Sequence, residues 1–294
     1  MALSLRDLVR QLTPPILVTA KRSLFNRPSG SASNAEQAAL EAAHAALNQG
    51  VPEDAICLRP GMLLKLHPES REAFEAFCYR YPEMVIELDT FIARTAGKRH
   101  LLDVGALHGI FSLVFCCNDP GRNAVAVDAS PIAFARLLYN VHKNRLSNIA
   151  PVECAMSAER GSVRMHYEWE HAVAAGTASD ASAGVTVETR TGNDLCASLS
   201  FDPDVVKIDV EGHEVKVLSG LREVLRRCRP LIFLEVHPDR IREEGDSLAG
   251  LAQMLTDLSY RAESASGETV PMASISTFTT DQRLVLTVGE RGST

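Results

Sequence analysis

No C-x-x-C pair occurs among the seven cysteines, Cys57, Cys78, Cys116, Cys117, Cys154, Cys196 and Cys228. Their number is odd and most sit inside apolar runs, so they read as reduced packing residues of a cytosolic protein rather than a disulfide framework. Basic charge is not in excess either. Lys and Arg number 30 against 37 Asp and Glu, a net charge of -7, which leaves no footprint for nucleic acid and points to a small or peptide-like substrate. A membrane span is also missing. The opening MALSLRDLVRQLTPPILVTAKRSL has an apolar bias, but Arg6, Asp7, Arg10 and the Pro14-Pro15 pair interrupt it, well short of the roughly 20 residues that a span requires. It reads as neither signal peptide nor membrane helix, and packing on the main domain or on a partner is the expectation.

What is present is organised around His100 to Leu113, HLLDVGALHGIFSL. An apolar run ends in Asp103, turns through Gly105 and Gly109, and resumes with helical periodicity. Glycine lets backbone N–H groups approach a ligand, and a helix N-terminus favours electron-rich groups, so this turn is a nucleotide cradle in outline. A second apolar run, Ala124 to Val127, ends in Asp128, Ala129, Ser130 and Pro131, with Asp128 lying 25 positions after Asp103. An acid closing the strand after a glycine turn is where the ribose hydroxyls of an adenosine cofactor are held.

Strands at 100–104, 124–128 and 150–155 alternate with helices at 109–117 and 131–144, the pattern of a parallel sheet that binds ligands at its carboxyl ends. Ser157, just past the third strand, is a candidate for the adenine end. The first 97 residues read as a helical cap. A Ser/Gly/Pro/Asn linker at Pro28 to Asn34 leads to a helix capped by Ser33 and stopping at Gly50, then a short strand at Met62 to Leu66, then helices Glu69 to Tyr81 and Pro82 to Ala96. Arg160-Gly161 reads as a hairpin turn before Ser162 to Trp169, which holds the only tryptophan. His171 to Gly184 has no apolar period and reads as either a mobile loop that closes over substrate or plain surface disorder; substrate choice is expected to lie there and in the N-terminal helices.

A further strong signal is Asp204 to Leu225, DVVKIDVEGHEVKVLSGLREVL. A strand, Val205 to Val210, delivers Asp209. Glu211-Gly212-His213-Glu214 makes a turn, and Val217, Leu218, Leu221, Val224 and Leu225 form a helical stripe. The next strand, Leu231 to Val236, ends in Glu235-Val236-His237-Pro238. Alternate residues of a strand share a face, so Asp209 pairs with Glu211 and Glu235 with His237 if strand geometry persists. Three carboxylates and an imidazole then crowd one sheet edge, roughly 5 Å apart from strand to strand. Such crowding requires a proton or a positive group between them: a cationic cofactor, a metal ion or a protonated amine substrate. Two terminal strands, Tyr260 to Ala265 and Arg283 to Val288, joined by a turn, would add an antiparallel edge.

The segments LLDVGALHGIFSL, VAVDAS, the strand before Ser157, VVKIDVEGHEVKVLSGL and PLIFLEVHP, in this order, resemble the FkbM family of S-adenosylmethionine-dependent methyltransferases over about residues 80 to 240. The resemblance implies a Rossmann-like class I sheet, mostly parallel, with seven strands and an antiparallel C-terminal hairpin, spanning residues 98–290. It also implies transfer of a methyl group from S-adenosylmethionine to a hydroxyl of a natural product, sugar or lipid-like acceptor. By position, Asp103, Gly105 and Ala106 would meet the methionine part of the cofactor, Asp128 the ribose, and Asp209 the reacting end, with His108, Ala129 and Ser157 completing the cofactor set. The family commonly reads D-V-G-A-N-x-G; here Leu107 and His108 replace the Asn-x pair. The expected base is His237, positioned by Glu235 or Glu211; a divalent ion such as Mg held by Asp209, Glu211 and Glu235 is the alternative. Methylation of an amine and a non-catalytic cofactor-binding module are the competing functions. A nicotinamide dehydrogenase would need a second glycine where Leu107 stands.

Overall fold

The computed structural model describes residues 38, 42, 45–80, 82–168, 171–174 and 185–289. The N-terminal apolar stretch, the Pro28 to Asn34 linker, most of the helix expected from Ser33, Trp169 and residues 175–184 lie outside them.

A hairpin of β1 (Ala55–Arg59) and β2 (Met62–Lys65) turns through Gly61 and leads to α1 (Pro68–Arg80) and α2 (Pro82–Arg94). Alternation then begins as the periodicity predicts: β3 (His100–Val104), α3 (Ile110–Cys116), β4 (Asn123–Asp128), α4 (Pro131–Lys143) and β5 (Ile149–Glu153). Ser130 caps α4, accepting from the Ala133 N–H, and Pro131 occupies its first turn. The strand expected over 150–155 is divided. Its last residues form β6 (Ala155–Met156), which leaves the main sheet for a second sheet with β7 (Gly161–Glu168), β8 (His171–Ala174) and β9 (Val185–Arg190). β7 pairs with β8 and β9 and not with β6, so no hairpin turns at Arg160-Gly161, and β8 occupies the start of the expected loop.

After α5 (Gly192–Leu199) come β10 (Val205–Ile208), α6 (Glu214–Gly220), α7 (Arg222–Cys228), β11 (Leu231–Val236), α8 (Pro238–Glu243), α9 (Leu248–Asp257), β12 (Tyr260–Ser264), β13 (Thr269–Val270), α10 (Met272–Ile275) and β14 (Gln282–Val288). The main sheet has the order β13-β12-β14-β11-β10-β3-β4-β5. Its five central strands, β11 to β5, are parallel, as their continuous apolar runs require. β14 enters antiparallel between β11 and β12. The expected terminal pair therefore forms, but as an insertion rather than a tight hairpin: residues 265–281 carry β13 and α10 between its strands, and β13 makes an eighth, edge strand.

Strand parity divides the core. Leu102, Val104, Val206, Ile232 and Leu234 face α6, α7 and α9, whereas Leu101, Val205, Phe233 and Val285 face α2 and α3. On the second face Phe91 of α2 meets Phe233 edge to face at 5.1 Å and Phe111 at 5.0 Å. The N-terminal hairpin and helices thus share one core with the sheet through Ile56, Leu64, Leu66, Leu88 and Phe91. Phe233→Ala should lower the unfolding free energy by about 3–5 kcal/mol in urea titrations. A double-mutant cycle with Phe91→Ala should show coupling of about 0.5–1.5 kcal/mol; strict additivity would separate α2 energetically from the sheet.

Candidate active site

β3 ends at Val104, and the chain must turn into α3 within five residues. Gly105 takes φ +75°, and a Cβ there would lie 1.7 Å from the Asp209 carbonyl oxygen, so only glycine lets the ends of β3 and β10 approach this closely. The Gly105 and Ala106 N–H groups both donate to the Val127 carbonyl at 2.9 Å, fastening the turn to β4. Leu107 is also left-handed, at φ +49°, and its N–H donates to Asp128 Oδ2 at 2.6 Å. Asn tolerates that backbone better than Leu, so this chain keeps the turn with a strained leucine.

A cleft opens beside this turn at the carboxyl edge of the sheet. Its wall includes Gly105, Asp128, Ala129, Met156, Asp209 and His213. Asp128 accepts from the Ser130 N–H at 2.8 Å as well as from Leu107, and each oxygen retains a further lone pair. Burial pushes its carboxyl up to about 7, against the pull of those two N–H groups. Asp103 sits beneath the wall. It is buried, accepts from Ser112 Oγ at 2.6 Å, and is pushed up to about 6 by burial, opposed by Ser112 and Lys207. Ala106 and His108 are buried behind the turn, and the His108 carbonyl accepts from Asn140. Ser157 reaches the cleft's edge through its 3.0 Å contact with His213 Nε2.

The acidic cluster forms, but not by strand parity alone. β10 stops at Ile208, and Glu211 and Gly212 take φ +52° and +109°. Strand geometry thus fails between Asp209 and Glu211, and the left-handed turn itself brings Glu211 back. Asp209, Glu211 and His237 offer donor atoms within 4.8 Å of one another. Register pairs Ile208 with Leu234, which sets Asp209 beside Glu235.

Groups from the chain itself answer the crowding. Lys207 Nζ lies 3.4 Å from Asp209 Oδ2 and 3.6 Å from Glu87 Oε1. Arg283 Nη2 is 2.5 Å from Glu235 Oε1, its Nε is 3.1 Å from Glu87 Oε2, and Arg240 Nε is 3.3 Å from Glu211 Oε2. Burial would raise the Asp209 carboxyl, but Lys207, His237 and Arg283 hold it below the usual range. Glu235 goes the other way, raised by burial and then by Asp209, with Arg283 and Lys207 only partly offsetting this.

His237 is fixed by Glu214, whose Oε1 is 2.7 Å from Nδ1; Glu211 and Glu235, the orienting acids expected from the strand pattern, stand 3.6 and 3.9 Å from Nε2. Burial would lower the ring's pKa, but the Glu214 hydrogen bond and the charges of Asp209, Glu214 and Glu211 outweigh it and push it up to about 10. The ring is therefore an imidazolium at neutral pH. Glu87, Lys207, Arg283 and the orienting role of Glu214 were missed in the sequence. Only Lys207 carries a signal there: a lone cation in an apolar strand, at the same parity as Asp209.

The sequence matches the Methyltransferase FkbM domain over residues 103–262. It is 28% identical over 160 residues to the hexuronic acid methyltransferase AglP of Haloferax volcanii, a match covering 54% of this chain and 64% of that protein. The chain thus spans slightly less than two thirds of the length of that curated relative. Among solved structures, the methyltransferase FkbM of Methylobacillus flagellatus KT aligns with a TM-score of 0.40 and 16% identity, covering 64% of this chain and 43% of that one. Precorrin-6y C5,15-methyltransferase of Geobacter metallireducens GS-15 aligns at 0.41 and 13%, covering 69% and 87%. With more than half of its residues inside the domain match, the chain belongs to the FkbM methyltransferase family.

Proposed function

We propose that the protein is an S-adenosylmethionine-dependent methyltransferase acting on a hydroxyl of a small sugar acceptor. The observation that carries this is one cleft with a glycine turn and Asp128 in its wall and the Asp209, Glu211 and His237 cluster at its edge. The residues fit the cofactor. Gly105 and Leu107 line the cleft beside Asp128, which keeps lone pairs for the ribose hydroxyls. S-Adenosylmethionine supplies a methyl group activated by its sulfonium. The chain must then align an acceptor and remove its proton. His237 Nε2 is the atom for that task, because Glu214 holds Nδ1 and fixes the ring. The surrounding carboxylates strengthen its hold on a proton, favouring abstraction from a weakly acidic hydroxyl, while keeping most rings protonated at pH 7.

A hydroxyl is favoured over an amine, because Lys207, Arg283 and Arg240 already balance the acids that a cationic amine would otherwise neutralise. The name of the Haloferax relative supports a sugar acceptor. A divalent cation is a second reading, supported by the convergence of Asp209, Glu211 and His237; it requires His237 to give up its proton first.

Calorimetry with S-adenosylhomocysteine should show affinity in the wild type and a roughly ten- to hundredfold loss in Asp128→Asn. Because the ionised Asp128 is the better acceptor and titrates near 7 in the free protein, wild-type affinity should hold above pH 7 and weaken as pH falls below it. This slope should vanish in Asp128→Asn.

Single-turnover assays with labelled methyl donor and a panel of sugars and sugar acids should detect transfer. His237→Ala should reduce it by about 10²- to 10⁴-fold with S-adenosylhomocysteine affinity retained. Full turnover in that variant rejects the base, and loss of turnover in a chelator, restored by Mg²⁺, favours the cation.

A further inference from the structure

The amino edge of the main sheet, at the opposite end from the acidic cluster, carries a second cavity of about 490 Å³. That volume is in the range of small-molecule sites, roughly 300–1,000 Å³. β11 begins at Leu231 in the cavity wall and ends at Val236, while the antiparallel β14 starts opposite Val236 at Gln282 and ends in the cavity wall at Val288. Leu231 and Val236 stand five positions apart, roughly 17 Å of strand, so a molecule held at the amino edge touches neither Asp209 nor His237.

Three cations line this cavity: Arg94 and Lys98, at and just past the end of α2, and Arg229, which closes α7 in the left-handed conformation at φ +49°. Arg229 Nη2 lies 3.5 Å from the Gly289 carbonyl, and a Cβ on Gly289 would lie 3.0 Å from Arg261 Nε, so a further guanidinium, from β12, packs against the same glycine. One carboxylate stands beside them. Glu263 Oε2 is 2.8 Å from Arg94 Nη1 and balances that residue alone. Among the described residues no carboxylate lies within 4.0 Å of Lys98, Arg229 or Arg261. In a chain of net charge -7 this gathering is local, not part of a generally basic surface. Cations grouped around a hollow with low-dielectric walls concentrate the field there and draw in an anion.

We propose that this cavity binds the phosphate group of a small molecule, at a site separate from the methyl-transfer cleft. The planar fork of a guanidinium matches two phosphate oxygens at once, and the Lys98 ammonium adds a point charge, so this set suits a dianion with several oxygens. Thr287 brings a hydroxyl to the same wall. Pro230, Leu231 and Val288 complete it with apolar surface, which accommodates the uncharged part of a phosphate ester. The inference stands apart from the reading of the cleft, because no part of it involves the methyl donor.

The test is calorimetry on the full chain with inorganic phosphate, inorganic pyrophosphate and glucose 1-phosphate, at about 0.15 M salt, where exposed charges are screened beyond about 8 Å. At least one probe should bind saturably. Lys98→Met and Arg229→Asn should each weaken that binding roughly tenfold or more, with thermal unfolding showing that each variant is folded; Asn suits the left-handed backbone at 229. Arg145→Asn is the control. It removes one charge from an exposed left-handed position ahead of β5, four strands from β11, and should change affinity by less than about threefold. Tighter binding of glucose 1-phosphate than of phosphate identifies an ester as the source, equal binding identifies free phosphate, and either supports the site. Absence of saturable binding by all three probes overturns the proposal. So does undiminished binding in folded Lys98→Met, or an equal loss in Arg145→Asn, which would mark general attraction to surface charge.

Discussion

One ammonium group sealed inside the sheet makes this acidic edge possible. Lys207 is 2% exposed, in the middle of β10, and register places it opposite Asp103 on one side and Phe233 on the other. Burial would favour its neutral form, yet Asp209, Glu87 and Glu235 more than reverse that and hold it charged. Uncompensated, carboxyls packed this closely could not stay ionised, because burial and mutual repulsion both raise their pKa. Removing one partner of such a buried pair commonly costs 3–5 kcal/mol, since the other is left as an isolated charge. The network is therefore a matched set, with Glu87 and Arg283 closing it from α2 and β14.

The second constraint is backbone. Gly105, Leu107, Glu211 and Gly212 all have positive φ, and all lie where strands of the sheet give way to the cleft. Strained conformations persist only where the surrounding structure determines them, and here hydrogen bonds and close packing do so. Leu107 donates to Asp128, Gly105 lies against the Asp209 carbonyl, and a Cβ at Gly212 would lie 2.6 Å from Arg240 Cβ. The glycine-turn side of the cleft and the acidic cluster thus meet at the same contact between β3 and β10.

Much of the architecture was legible. The alternation of strands and helices follows from apolar runs separated by amphipathic segments, and the glycine turn announces itself through Gly105 and Gly109. The acids at Asp128, Asp209 and Glu235 were visible because each stands at the end of a mostly apolar strand. The convergence of Glu211 on His237 was anticipated, but the supposed cause was wrong: strand alternation does not survive to Glu211, and a left-handed turn brings it there instead. The need for positive charge was also foreseen, without the source. Arg283 and Glu87 come from opposite ends of the chain, 196 positions apart, and no local pattern relates them. β13 has only two residues and falls below what alternation can signal.

The sequence by itself determined the sheet, the glycine turn and which acids stand at its edge, because periodicity and chain reversal are properties of neighbouring residues. The tertiary structure alone decided the protonation and partnership of those acids: Glu214 as the orienting acid of His237, and Lys207 and Arg283 as the compensating cations. Those outcomes depend on distances of a few ångströms between residues remote in sequence and on the exclusion of water around them, and neither quantity is written in local order.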